Sequence, residues 1–419
     1  MASVADGVGE GESMSTPAME QVAIPAHVPR DLVRDLDLYA LPGLESGHTL
    51  DVHALWKNVQ DTHPPVFWTP HYGGHWVVTR YAEIEKLLFE HERFSSSEPF
   101  VPRGVIPLQI PVQFDPPQHG PFRKLLMPAF APKVLARATE RARAAAVEII
   151  ERLRPEGSCE FVQDFAGTMP VIAFLTLIDL PEEDYAYLRG VAVRMSSPAD
   201  PAAPAAWAEM SAYVQGHIDE RRKAPRDDFI TSLLTAKVGG RPLTSEEIFG
   251  MCLLIVGGGL DTVVSMTSFA AAHLAQHPEA RADLLAHPDR MASAVEEIAR
   301  RFGTSNLGRQ VRQDTTLGGV DIPEGDIVMA LIPLAGLDET VTDDPMALDF
   351  SRGRPRHLAF GIGPHTCIGN TLARREIRIF LEEWLSRIPD FRLAAGTMPH
   401  VTTGIVNSVA DLHLEWDVA

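Results

Sequence analysis

The stretch His357-Leu-Ala-Phe360-Gly361-Ile-Gly363-Pro-His365-Thr-Cys367-Ile-Gly369 decides how this chain is read. It sets one cysteine in a glycine-rich loop. The helical pattern Asn370-Thr-Leu-Ala-Arg-Arg-Glu-Ile-Arg-Ile-Phe-Leu-Glu-Glu-Trp-Leu follows directly. A thiolate at a helix N-terminus meets unpaired N–H groups and the positive end of the helix dipole. Gly361, Gly363 and Gly369 allow a tight turn and the close approach of a flat ligand.

The spacing Phe-x-x-Gly-x-His-x-Cys-x-Gly, at 360, 363, 365, 367 and 369, resembles the haem loop of the cytochrome P450 family. A capping loop around a buried free cysteine would not need so many fixed positions. The resemblance implies haem b, with Cys367 as the thiolate ligand to iron and Phe360 beside it. It runs from about residue 30 to the end of the chain, through Phe94-Ser-Ser, Asp115-Pro-Pro, Leu337-Asp-Glu, Asp349-Phe-Ser-Arg and Gly404-Ile-Val. It is nearest to the soluble bacterial camphor-type monooxygenases. The implied fold is mainly α with small β-sheets, the haem lying between a long central distal helix and the proximal cysteine loop.

That distal helix is legible as Met251-Cys-Leu-Leu-Ile-Val-Gly257-Gly258-Gly259-Leu-Asp261-Thr262-Val-Val-Ser-Met-Thr-Ser-Phe. It is apolar on nearly all faces, so it is expected to be buried. Glycine inside a helix costs about 1 kcal/mol relative to alanine. Three in a row point to a local widening and to close approach of a ligand at Gly258. A tight helix crossing would explain the glycines, but not the acid and β-hydroxyl that follow. Asp261-Thr262 resembles the acid–alcohol pair of the family. It implies proton delivery for O–O cleavage, a hydroxyl holding the water chain and a carboxylate passing protons from solvent.

Glu297-x-x-Arg300 places a carboxylate and a guanidinium on one helix face. In the family this pair is buried and locks the haem-loop core, often with a third, basic member. Ala347 stands at that member's position in Pro345-Met-Ala-Leu-Asp-Phe, so a nearby arginine is the expected substitute. Buried haem propionates need cationic or hydrogen-bonding partners. The resemblance assigns them Arg123 in His119-Gly-Pro-Phe-Arg-Lys, Arg309 in Asn306-Leu-Gly-Arg, and His365. Related chains often carry an acid two residues before the arginine. Leu307 stands there, so hydrogen bonding at that propionate must differ.

The chain has 419 residues, 45% of them hydrophobic, enough for a large core. Length alone suggests two or three domains, yet no Gly/Ser or charged linker divides residues 30–419. The expectation is one domain at 30–419 after a flexible acidic tail at 1–29. That tail lacks the basic and apolar regions of a signal peptide, so a soluble, cytoplasmic protein is expected. A net charge of −19 argues against nucleic acid and anionic membrane surfaces as partners. Cys159, Cys252 and Cys367 give no disulfide framework and no zinc pattern, and are too few for an iron–sulfur cluster. No flavin or nicotinamide fingerprint is evident. Electrons must then come from separate partners, which the resemblance implies are a [2Fe-2S] ferredoxin and its NAD(P)H-dependent reductase. Arg123, Lys124 and Arg354 are candidates for a basic docking patch.

Local patterns fill in the rest. His75-Trp-Val-Val-Thr reads as a strand and Ala82-Glu-Ile-Glu-Lys-Leu-Leu-Phe as an amphipathic helix. Residues 99–114 are apolar and too proline-broken for a long helix, the kind of loop that covers a ligand pocket. From about 133 to 300 the pattern is mostly helical, strongest at 136–153 and 204–222. Strands are expected at Thr316-Leu-Gly-Gly-Val-Asp-Ile, at Ile327-Val-Met-Ala-Leu-Ile and near Gly404-Ile-Val.

By the resemblance, Leu254, Gly257, Gly258, Ser305, Ile405 and Val406 line the substrate pocket, with part of 99–114. All but Ser305 are apolar or glycine. The implied substrate is small and hydrophobic, its burial worth about 25 cal/mol per Å². Camphor hydroxylases hold a ketone with a tyrosine of the covering loop. Residues 99–114 contain none, leaving Gln109 or Gln113 as donors. Gly257 replaces a branched residue and enlarges the pocket. The expected activity is hydroxylation of a terpenoid or norisoprenoid such as an ionone, rather than camphor, with O2. A peroxide-using peroxygenase of the same fold would not need Asp261-Thr262. A haem-based gas sensor or ligand-binding protein would need an output segment, and none is visible.

Overall fold

The computed structural model describes residues 22–418, and helices dominate them. Most of the expected acidic tail lies outside the described residues. Its last part packs against the domain: the Val22 N–H bonds the Pro70 carbonyl at 3.1 Å, and Val28 is buried.

The apolar segment Ser245–Gln276 crosses the core as two helices, Ser245–Gly258 and Thr262–Gln276. A capping box starts the first: the Glu247 N–H bonds Thr244 Oγ1 at 3.1 Å, and the Thr244 N–H bonds Glu247 Oε2 at 2.8 Å. The segment is long and apolar enough to cross a membrane, but most of it is buried inside this domain, where its all-round apolarity belongs. The expected widening is instead an interruption at Gly259, Leu260 and Asp261, where Asp261 leaves helical geometry with φ −130° and ψ −31°.

The three glycines have separate reasons. A Cβ at Gly257 or Gly258 would meet nothing within 4 Å, whereas one at Gly259 would overlap the Phe174 ring. Phe174 belongs to the buried helix Met169–Ile178. Gly259 therefore serves a helix crossing, and the first two glycines leave open space.

Helix Asn370–Arg387 follows the cysteine loop and packs on Pro132–Leu153. Phe161, Phe165, Phe380 and Trp384 fill the space beside them, with Trp384 edge-on to Phe161 at 4.9 Å and to Phe165 at 5.0 Å. A mixed sheet flanks the helices in the order Val66–Thr69, His75–Val78, Ile327–Leu331, Asn306–Val311, Phe94–Ser95. The centre pairs Val328 with Trp76 in parallel and with Arg309 antiparallel. That register sets Arg309 and Ser305 at the sheet's inner end.

Strands His400–Thr402 and Ser408–Asp411 lie near Gly404-Ile-Val, as expected, and those three residues belong to the turn between them. Gly404 is needed there because a Cβ would collide with the Ser196 carbonyl, to which the Ile405 N–H bonds at 2.9 Å. Residues 99–114 form no helix, as their prolines dictate. The Ile110 N–H bonds the Gly250 carbonyl at 3.2 Å, and a Cβ at Gly250 would press on Leu108 O at 2.9 Å. The loop thus lies directly on the distal helix.

Candidate active site

A cavity of about 280 Å³ separates the cysteine loop from the distal helices. Its floor is Phe360, Gly361, Cys367, Ile368 and Gly369, and its roof is Leu254, Gly258, Thr262 and Val263. Pro111 and Val112 of the covering loop, with Thr304 and Ser305, close one side. Thr262 and Cys367 therefore face the same space from opposite walls. Gly257, Ile405 and Val406 do not line it. Val406 instead backs Ser305 through an antiparallel bridge. Gln109 and Gln113 are also outside, because the Gln109 N–H and the Ser97 carbonyl occupy the Gln113 amide at 2.7 and 3.3 Å.

The cysteine loop is held by its own backbone and by a cation. The Cys367 N–H bonds the Phe360 carbonyl at 2.8 Å, and the Arg374 guanidinium stacks 4.3 Å over the Phe360 ring. Glu296 fixes Arg374 at 2.5 Å and His357 at 3.1 Å. Burial raises the Glu296 proton affinity, but hydrogen bonds from His357 and Arg374 outweigh it and hold its pKa at about 2. Cys367 is open to the cavity yet enclosed by protein. Burial pushes its thiol up, against the N–H groups of Gly369 and Asn370 and the charges of Arg123 and Arg374. The helix-terminus N–H groups do favour the thiolate, as expected, but burial is the larger influence, and a bound metal cation would favour the thiolate further.

One end of the cavity is strongly basic. Arg123 bonds the Thr366 carbonyl at 2.5 Å. Arg309 is 3% exposed, its Nη1 bonds only the Gly308 carbonyl at 2.7 Å, and no carboxylate pairs with it among the described residues. Burial depresses its pKa to about 10. His365 Nε2 is buried without a hydrogen-bond partner. Burial and then the charges of Arg309, His119 and Arg123 pull the His365 pKa down to about 3. His119 packs against His365 at 4.3 Å between ring centroids, a member of the cluster that the sequence reading quoted without assigning it. His365 and His119 are thus neutral, while Arg309 is a buried cation that Asp115 reaches only through space and that bonds no anion among the described residues. An apolar slot with a thiol in its floor and a basic end matches a flat, iron-bearing macrocycle with two carboxylates. The residues present therefore fit haem. Leu307, in place of an acid, also lines the slot.

Asp261, the last residue of the helix interruption, does not line the slot that its neighbour Thr262 faces. Ser408 Oγ bonds Asp261 Oδ2 at 2.6 Å, and Arg189 Nη1 lies 3.6 Å from Oδ1. Sequence reasoning missed Ser408 and Arg189, since neither sits in a motif and both reach Asp261 from distant parts of the chain. Glu297 and Arg300 are fully buried and joined at 2.8 and 2.7 Å. The arginine expected to replace the missing third member is Arg352, 3.0 Å from Glu297. Ala347 contributes its carbonyl to Arg300 Nη2 at 2.7 Å.

Comparison with known proteins agrees with this geometry. The family model described as cytochrome P450 matches residues 193–298 and 291–399. A probable cytochrome P450 127A1 of Sinorhizobium fredii is 35% identical over 401 residues, 94% of this chain and 97% of that protein. A steroid C26-monooxygenase of Rhodococcus jostii is 29% identical over 92% of this chain and 84% of its own. The crystal structures of CYP101J2 and CYP101C1 each superpose with a TM-score of 0.84 at 36% identity. They cover 95% and 94% of this chain, and all of their own.

Proposed function

Because the chain belongs to the cytochrome P450 family, an oxidoreductase family whose members bind haem b, we propose that it hydroxylates a small terpenoid or norisoprenoid. The reaction is R–H + O2 + 2 e⁻ + 2 H⁺ → R–OH + H2O. The electrons come one at a time from a [2Fe-2S] ferredoxin served by an NAD(P)H-dependent reductase, in the cytoplasm. The observation that supports this reading is the slot itself, with a thiol in one wall, a threonine hydroxyl in the other and apolar sides between them.

Bound in the slot, haem supplies the iron at which O2 is reduced and a C–H bond oxidised. Cys367 would ligate that iron. Arg123, Arg309, His365 and His119 would hold the propionates. Leu254, Val263 and the covering-loop residues Pro111 and Val112 hold the substrate by apolar contact and exclude water. Ser305 offers a hydroxyl to a substrate oxygen. Asp261 passes on a proton from its buried place in the helix interruption. Thr262 holds the water chain that receives it on the cavity side. Lys124 and Arg354 are exposed, as are Met127 and Phe89, the last beside Gly363 of the cysteine loop. Exposed cations of this kind suit an acidic ferredoxin, on a protein whose net charge is −19.

The test is a spin-state titration against a terpenoid library, followed by turnover with ferredoxin and reductase. Ionone-type ligands are expected to shift the ferric spectrum further than camphor, and products to form only with the electron-transfer partners. A complete shift with micromolar camphor would overturn the substrate class. Equal product from peroxide alone would replace the monooxygenase reading with a peroxygenase.

A further inference from the structure

We propose that Ser408 is a positioning residue for Asp261, fixing the rotation of the carboxylate that the proton relay uses. The inference rests on the proton-relay reading above and extends it to a residue that no motif contains. Three buried groups meet here from separate parts of the chain. Asp261 is 6% exposed in the helix interruption, Ser265 is fully buried one turn on, and Ser408 is 3% exposed in the C-terminal strand.

A hydroxyl has one proton to donate. Ser408 Oγ lies 2.6 Å from Asp261 Oδ2, and Ser265 Oγ lies 3.1 Å from Ser408 Oγ. The short contacts run in one direction: Ser265 donates to Ser408, and Ser408 donates to Asp261. Each bond polarises the next, which suits a charged acceptor. Asp261 Oδ1 has only longer contacts, Ser265 at 3.5 Å and Arg189 at 3.6 Å. Arg189 Nη1 itself is buried without a hydrogen bond. One carboxylate oxygen is therefore held by a short hydrogen bond, and the other faces Arg189 and Ser265 at longer range. Arg189 holds Asp261 by charge, and the short Ser408 bond adds the directional constraint on the carboxylate.

The test compares wild type with S408A, S408T and D261N as purified holoenzymes. The first readout is the infrared carboxylate band assigned to Asp261 by its loss in D261N. S408A is expected to shift this band and S408T to restore it. The second is O2 consumption driven by NADH through a surrogate [2Fe-2S] ferredoxin and reductase, with β-ionone present, in H2O and D2O. Here S408A is expected to lose about tenfold in rate, as for one hydrogen bond to a charged group, with an enlarged solvent isotope effect. S408T is expected to recover both. An unshifted band in S408A overturns the positioning role, as does a shifted band with wild-type rate and isotope effect while D261N is slow. Wild-type kinetics in D261N itself would instead overturn the relay reading.

Discussion

Arg352 lies 3.0 Å from the Glu297 carboxylate, in the place that Ala347 leaves without a basic side chain. Glu297 is fully buried and also bonds Arg300 and the Asp349 N–H. A buried carboxylate stripped of a partner is costly, so R300A is expected to lose about 3–5 kcal/mol of stability. Arg352 is 16% exposed on its side chain, and R352A is expected to lose less, about 1–2 kcal/mol. Urea denaturation of the holoproteins measures both. Equal losses would mean that Arg352 carries the cluster as fully as Arg300 does.

The glycines at the helix interruption are expected to respond in opposite ways. G259A sets a methyl group into the Phe174 ring and is expected to destabilise by about 1–3 kcal/mol. G257A meets open space and is expected to stabilise by about 1 kcal/mol. Trimming the ring with F174L is expected to relieve G259A. Thermal melts of the three variants and the G259A/F174L pair check this, and an additive double variant would contradict it.

Retention of haem is expected to depend on Arg309 beyond its packing. R309L removes a buried cation whose only hydrogen bond among the described residues is to a backbone carbonyl. Haem transfer to an excess of an apoprotein acceptor is expected to quicken about tenfold, with R309K intermediate. An unchanged transfer rate would place the propionates elsewhere.

Acid is expected to weaken the fold through His75. Burial, its largest influence, depresses the His75 pKa from 6.5 to about 3. Below about pH 6.5 the unfolded chain takes up a proton that folded His75 refuses until about pH 3. Stability therefore falls as pH drops through that window. The loss between pH 8 and pH 5 is about 2 kcal/mol for this residue. Urea midpoints at the two pH values are expected to differ less in H75N than in wild type.

Much of this was legible in the residues because the chemistry concentrates in short spans. The Cys367 loop and the Gly257–Thr262 segment each carry their parts within a dozen positions, so local spacing reveals them. Cys367 and Thr262 face one cavity, and Arg123 and His365 line it, with Arg309 close enough to act on His365. What escaped depends on contacts between segments far apart in the chain. The Arg189 and Ser408 contacts with Asp261 are of this kind. So is the Gln113 amide, spent on the loop's own backbone. Strands do lie near Gly404-Ile-Val, which itself forms the turn between them and bridges Ser305 through Val406. Gly258, read as the point of ligand approach, lines the cavity, whereas the reason for Gly259 includes the distant Phe174 ring.

The C-terminal hairpin, strands His400–Thr402 and Ser408–Asp411, also sets the order in which a nascent chain completes its catalytic apparatus. A chain that has been synthesised only as far as residue 400 already holds the whole Cys367 loop, the basic cluster and the distal helices. It still lacks the serine that grips Asp261 and the backing for Ser305. The capacity to bind the prosthetic group is therefore encoded ahead of the residues that steady its proton-handling side.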